Sequence, residues 1–469
     1  MNDTAPLELS EATLRRMLAL ATDHIVAFMQ DIPNQPVDTS SAINAKDLRL
    51  EAIPQEPEDI QRLLDQIFDR ATHASLNPVS PGFMGYVPGG GIPHAAVADL
   101  VANVLNRYVG VAGITPALSQ MEASVIGWFC EIMGYPPSAR GFLTSGGSLA
   151  NLSAVVTARH TKLGDDFSRG VIYVSDQVHH CIDKAARIAG ITESRLRVLP
   201  TDANFRLDAQ TVADAIRQDR QQALEPFLLV ASAGTTNTGA VDPLNDLADL
   251  AAEESLWFHV DGAYGGFFRM TERGRKVLYG IERADSLVLD PHKTLFLPYG
   301  TGALLVRNGQ HLQATHSSAA DYLPDLQDPD EVVDFCEISP ELTRPFRGLR
   351  VWLPMKMHGV NVFRDCLDEK LDLANWIQAR INELPEVELI AKAELSILAF
   401  AMKGESLHNR NTRTRKLIEF INQKNRVHLT GTTIDGAFAI RIAVVSYRTH
   451  LDRMEMLLED LQEGLRACR

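Results

Sequence analysis

Downstream of Asn77–Gly91, short apolar runs alternate with stretches of helical periodicity as far as Arg307, and no other feature restricts the fold as much. The runs VIYVS, FLLVASA, LWFHVD, DSLVLD and GALLVR are strand-length and rich in β-branched or large apolar residues. Strands separated by helices predict an α/β fold with a mostly parallel sheet wrapped by helices. Asn77–Gly91 (NPVSPGFMGYVPGGG) is dense in Pro and Gly and cannot continue a helix, so a boundary falls there. Before it, apolar positions at helical spacing run from a Ser10 cap to about Gln30 and again from Asp59 to Ala74. After Arg307, Ser317–Arg347 is acidic, Pro-bearing and aperiodic, and its length marks a functional or mobile loop. A helical stretch (Asn361–Leu384), the strand-like runs VELIA, SILAFAM and FAIRIAVV, and helical stretches at Thr412–Gln423 and His450–Cys468 predict a small terminal α+β domain. The expected division is a helical arm with dimer-contact segment (1–92), a large domain (93–350) with a mobile loop at about 317–345, and a small domain (351–469).

The 469-residue chain is long enough for these three parts, and 45% hydrophobic with 22% charged residues is the balance of a globular protein in solution. No apolar run reaches the length of a membrane span. The start, MNDTAPLELSE, lacks the basic and apolar regions of a signal peptide. A net charge of −15 repels phosphate backbones and anionic lipid, so neither nucleic acid nor membrane is an expected partner. Five scattered cysteines without a CxxC pair argue against a disulfide framework or a thiolate metal site, and a cytoplasmic location is expected.

Five segments place chemistry at strand ends. SLVLDPHKTLF holds Lys293 just beyond a buried run, where a lone lysine would ordinarily be a solvated loop charge. LWFHVDGAYGG ends an apolar run in Asp261, a carboxylate whose burial needs a cationic or donor partner such as a protonated heteroaromatic nitrogen. GFLTSGGSLANL passes from a short strand through a small-residue turn into a helix, with Ser148 at the expected N-cap, and makes an anion site. It lacks the GKS of a P-loop and the GxGxxG of a dinucleotide fold. VIYVSDQVHHCID presents His179 and His180, whose adjacency suits ring stacking better than metal ligation; no metal is expected. FLLVASAGTTNTGAVDP ends in Gly234, Thr235 and Thr236, hydroxyls at the edge where open α/β sheets bind ligands. Together these supply an amine nucleophile, a carboxylate, a phosphate cradle, a stacking ring and hydroxyl donors, which fits an aldehyde cofactor bearing a phosphate and a pyridine nitrogen.

The blocks TSGGSLANL, SDQVHH, AGTTNTGAVDP, FHVDGAYGG, DPHK and SPELTRPFRGLRVW stand in the order and approximate spacing of the group II pyridoxal-phosphate decarboxylases, which the chain resembles from about Asn77 to about Gly359. The resemblance implies a fold-type-I, aspartate-aminotransferase-like fold, pyridoxal 5′-phosphate as cofactor, and a homodimer with active sites at the subunit interface. It implies that Lys293 holds the cofactor aldehyde, with His292 beside it, and that Asp261 faces the pyridine nitrogen. Ala263 and His179 would cover the two ring faces, Thr236 would match the second threonine of the family's GTT, and Gly147 and Ser148 would receive the phosphate. Asp290 stands where some members carry asparagine, which brings a carboxylate towards that phosphate.

The implied reaction removes the α-carboxylate of an L-amino acid and protonates the α-carbon, giving an amine. In the family a tyrosine on the mobile loop is thought to deliver that proton; here the alignment sets Phe335 at that position, with Tyr322 the nearby phenol. Without a hydroxyl there, an aldehyde-forming oxidative deamination becomes the alternative product. Tyr86 and Tyr108 match the substrate-pocket segments and favour an aromatic side chain, although both suit a core or interface equally. The neighbouring Arg107 keeps acidic or diamino substrates open. An aminotransferase or carbon–sulfur lyase would share Lys293 and Asp261, a non-catalytic binding protein would not need the lysine, and a nucleotide-dependent dehydrogenase would need the missing glycine fingerprint.

Overall fold

The computed structural model describes residues 7–40, 50–317 and 334–468. α1 (Glu11–Asp31) begins where the Ser10 hydroxyl accepts from the Thr13 amide, and none of its residues is buried. α2 (Ile60–Asp65), capped by Asp59, runs on through a π-helical and then a 3₁₀ turn to Ala74. The Pro- and Gly-rich segment follows, and α3 (Pro93–Leu105) and α4 (Pro116–Met133) lead into the large sheet.

Its strands are β1 (Arg140–Thr144), β2 (Gly170–Ser175), β3 (Leu196–Leu199), β4 (Glu225–Ser232), β5 (Trp257–Asp261), β6 (Ser286–Leu289) and β7 (Gly302–Val306). Their order is β1-β7-β6-β5-β4-β2-β3; β7 runs antiparallel to both neighbours, and the remaining pairings are parallel. The crossovers carry α5 (Gly147–Leu163), α6 (Cys181–Ile188), α7 (Ala209–Gln221), α8 (Leu244–Glu253), α9 (Glu272–Val277) and the single turn α10 (Pro291–Thr294). Alternate residues of β7 enter different cores, Ala303 and Leu305 one, Leu304 and Val306 the other, so both faces of the sheet are covered. The mostly parallel, doubly covered sheet is the architecture expected from the alternating runs. β3 was not expected: LRVL is short, and none of its residues is fully buried.

Beyond β7 come α11 (Gln310–His316), α12 (Phe335–Ile338), α13 (Gly348–His358) and α14 (Val360–Asn382). The small domain comprises β8 (Val387–Ala391), β9 (Ile397–Met402), α15 (Leu407–Gln423), β10 (Thr430–Ile434), β11 (Ala437–Ala443) and α16 (Leu451–Ala467). Its antiparallel sheet, ordered β10-β11-β9-β8, has its own apolar core. The stretch 317–345 divides. Residues 318–333, including Tyr322, lie outside the described residues. Residues 334–345, expected at the end of a functional or mobile loop, pack into the large domain: Phe335 is fully buried, and Arg344 pairs with Glu122 at 2.5 Å with neither side chain exposed.

Candidate active site

The carboxyl ends of β1, β2, β4, β5 and β6 open into one cavity of about 290 Å³. Lys293 sits on α10, the turn after β6, with its side chain a quarter exposed and Nζ 2.9 Å from Asp290 Oδ2. Burial pulls the pKa of Lys293 down, but the Asp290 charge and hydrogen bond, helped by the Asp261 charge, outweigh it and leave the pKa raised. The Pro- and Gly-rich segment is laid directly on this turn: a Cβ on Gly89 would collide with the carbonyl oxygens of His292 and Lys293. His292 donates Nδ1–H to the Thr301 carbonyl at 2.6 Å, which turns Nε2 towards Asp290, 3.7 Å away; burial lowers its pKa.

Asp261 ends β5 and is 9% exposed. Its Oδ1 accepts from the Ala263 amide and its Oδ2 from Asn151 Nδ2, both at 3.1 Å. α5 starts two residues earlier than expected: Gly146, at φ +155°, is the N-cap, and Ser148 is the helix's second residue. The positive φ favours glycine, so Ser148 is displaced from the cap; the start of this 17-residue helix has no side-chain cap. The His179 and His180 rings are 4.1 Å apart. His179 Nδ1 accepts from the Cys181 amide at 3.3 Å, which leaves the neutral ring's proton on Nε2. Burial lowers its pKa although the Asp261 charge opposes this. At the end of β4, Thr235 is tied to Thr238 at 2.6 Å, while Thr236 is exposed.

The cavity gathers Gly147, Ser148, His179, Thr236, Asp261, Ala263, His292 and Lys293. It does not gather Tyr86, Tyr108 or Phe335. Tyr86 is 59% exposed at φ +50°, its ring stacked beside Phe83. Tyr108 donates its hydroxyl to the Leu342 carbonyl at 3.0 Å. Phe335 lies in the core under the Arg344 guanidinium, 4.7 Å from the ring centroid. Sequence reading missed Asn151, Cys181 and Tyr264, which line the cavity, and His259 behind it. A signal existed for two of them: His259 precedes Asp261 by two residues on a strand and shares its face, and Asn151 follows Gly147 by one helical turn.

An amine and a carboxylate lining the same cavity as an uncapped helix start among small residues suit a ligand that is at once aldehyde, cation and anion. The sequence profile described as "Pyridoxal-dependent decarboxylase conserved domain" matches residues 43–403. An aromatic-L-amino-acid decarboxylase from Bacillus atrophaeus is 35% identical over 463 residues, covering 96% of this chain and 95% of that protein. Catharanthus roseus tryptophan decarboxylase in complex with L-tryptophan superposes with a TM-score of 0.91 at 26% identity, over 98% of this chain and 99% of its own. Oryza sativa TDC with PLP and tryptamine does so with a TM-score of 0.92 at 25% identity, over the same shares.

Proposed function

The chain belongs to the pyridoxal-dependent decarboxylase family, and on that premise we propose that it converts an L-amino acid with an aromatic side chain to the corresponding amine and carbon dioxide. The carrying observation is that Lys293, Asp261 and the uncapped start of α5 line one cavity. Pyridoxal 5′-phosphate is the cofactor; when bound, it supplies an electron sink for the bond broken at the α-carbon. Lys293 is the residue to hold its aldehyde, and the N–H groups opening α5, with Gly147 and Ser148, are suited to its phosphate. Asp261 would hold the proton on the ring nitrogen, and His179 and Ala263 would flank the ring. Lys293 would also be the residue to carry a proton to or from the α-carbon.

The aromatic side chain is supported by the relatives, several of which act on aromatic amino acids by name. A homodimer is supported by apolar stripes left bare in the single chain, on α1 and on α3, where Val97, Leu100, Val101 and Val104 are all exposed. A cytoplasmic location suits the five unpaired cysteines, and no helix among the described residues is long and apolar enough to cross a membrane. The lining of the cavity favours a second reading. Of the described residues, Tyr264 alone brings a phenol to the cavity, and its hydroxyl is held by Ser396 at 2.9 Å. If no hydroxyl protonates the α-carbon, dioxygen can take the electrons, and amino acid, O₂ and water give aldehyde, carbon dioxide, ammonia and hydrogen peroxide.

One assay decides between the readings: purified protein with added cofactor and a panel of amino acids, with carbon dioxide, amine, aldehyde and peroxide recorded together. Equal yields of carbon dioxide and amine from an aromatic amino acid are expected. Aldehyde with peroxide moves the conclusion to the second reading, and no carbon dioxide from any substrate overturns both. Lys293→Ala is expected to abolish turnover and the visible absorption of lysine-linked cofactor; survival of both would remove the assignment of Lys293.

A further inference from the structure

We propose that Asn151 and His259 are positioning residues for Asp261, the inner members of a one-way hydrogen-bond relay that starts at Trp257 and ends on the carboxylate. The inference rests on the cofactor reading above and concerns how the carboxylate facing the ring nitrogen is held.

The period of two along β5 puts Trp257, His259 and Asp261 on one face of the sheet. Indole nitrogen can only donate, and Trp257 Nε1 gives its hydrogen to Ser286 Oγ at 2.8 Å. Ser286, on the neighbouring strand β6, passes its own hydrogen to His259 Nδ1 at 2.8 Å. A neutral imidazole that accepts at Nδ1 carries its proton at Nε2, and His259 Nε2 donates to Asn151 Oδ1 at 2.8 Å. This orients the amide and aims Asn151 Nδ2 at Asp261 Oδ2, 3.1 Å away, and at Cys181 Sγ, 3.2 Å away.

The direction is fixed from the carboxylate end: Asp261 can only accept, so Asn151 turns Nδ2 to it and Oδ1 to His259, which must then carry its proton at Nε2 and accept at Nδ1 from Ser286. Asn151, His259 and Ser286 have no exposed surface, and Trp257 has 2%. Hydrogen bonds in series at low dielectric polarise one another, so the relay delivers a stronger dipole to Asp261 than an isolated amide could. Burial keeps His259 neutral by pushing its pKa down to about 4 against the pull of Asp261, so the relay brings no second cation beside the ring nitrogen. With Oδ1 loaded by the Ala263 amide and Oδ2 by Asn151, the carboxylate cannot rotate, and its remaining lone pairs have one fixed direction.

The test reads cofactor affinity and the pH titration of the lysine-linked chromophore in the reconstituted protein, with turnover recorded separately. Ser286→Ala removes one hydroxyl from a site that tolerates the smaller side chain. It takes away the donor to His259 Nδ1, so the imidazole is held from one side only and its grip on Asn151 loosens. A cofactor dissociation constant raised by about tenfold, the order of one lost hydrogen bond to a charged group, is expected, with a displaced titration midpoint. His259→Leu should behave in the same way, whereas His259→Gln, which keeps a donor towards Asn151 and an acceptor towards Ser286, should stay within about threefold of the parent protein.

Equal behaviour of the Gln and Leu variants, or a Ser286→Ala protein with unchanged affinity and titration, would overturn the relay. A purely structural role would lower the unfolding temperature and leave the chromophore's midpoint alone. A parent protein that never develops a chromophore dependent on Lys293 would instead defeat the cofactor reading, so the two failures are distinguishable.

Discussion

If Lys293 holds the cofactor aldehyde as proposed, its ion pair with Asp290 should govern the pH at which the amine can take it up. Only the neutral amine is a nucleophile, and the proximity of Asp290 and Asp261 holds Lys293 in its charged form against the effect of burial. Asp290→Asn removes the nearer anion, so the pKa of Lys293 falls and a larger neutral fraction exists at any pH below it. Cofactor attachment, followed by stopped-flow absorbance on the apoprotein, should quicken near neutral pH, by about tenfold per unit of pKa lost, and its pH profile should move to lower pH. An unchanged profile would mean that the Asp290 charge does not control the amine. Lys293, Asp261 and His179 were legible as cavity-lining positions because each ends an apolar run or lies within four residues beyond one, so strand position brings them to one edge. Asn151 and His259 were not singled out, since their mutual bond joins positions 108 residues apart and only the folded sheet makes them neighbours. Tyr86 and Tyr108 were assigned to the pocket by alignment, which identifies a position in the chain but not the direction its side chain faces.

Among the elements, α12 and the chain leading to α13 depend on one buried charge pair. Arg344 reaches Glu122 on α4 and the Leu143 carbonyl on β1, while the Gly348 amide closes on the other Glu122 oxygen at 3.1 Å. Removing one partner leaves a charge buried without compensation. Arg344→Met is therefore expected to destabilise the large domain by roughly 3–5 kcal/mol, and a Glu122→Leu/Arg344→Met double variant to recover most of the loss. Denaturation midpoints in urea would show this, and a single variant as stable as the parent would mean that the pair does not anchor the segment. The burial of Arg344 was not legible in a stretch read as a functional or mobile loop: Glu122 and Gly348 are 226 positions apart, and the sequence offers no local sign that an Arg here is a core residue. β10 (TGTTI) escaped notice for a related reason, since its threonines and glycine alternate at a partly exposed edge and carry no apolar run. β2, β4, β5, β6 and β7, by contrast, were legible because strands covered on both faces must be apolar throughout.

For the whole molecule, α1 poses the sharpest energetic question. It spans 21 residues without burying one, yet Leu14, Leu18, Ile25 and Met29 fall on a single stripe at helical spacing, all exposed. Most helical stability in proteins comes from burying such a stripe rather than from propensity, so α1 needs a surface that the described residues do not supply. α3 has the complementary problem: Val97, Leu100, Val101 and Val104 form an exposed apolar ridge next to the Pro- and Gly-rich segment that lies on the Lys293 turn. A second copy of the chain, as proposed, would satisfy both, and joining at α3 would bring the partner close to the cavity. The double substitution Val101→Glu/Val104→Glu should therefore turn a dimer into a monomer in sedimentation velocity at micromolar protein. Because the active sites are proposed to lie at the interface, activity per chain should fall together with the dimer fraction and return as protein concentration is raised. A variant that stays dimeric would place the interface elsewhere, and a monomer with full activity would show that one chain completes its own site.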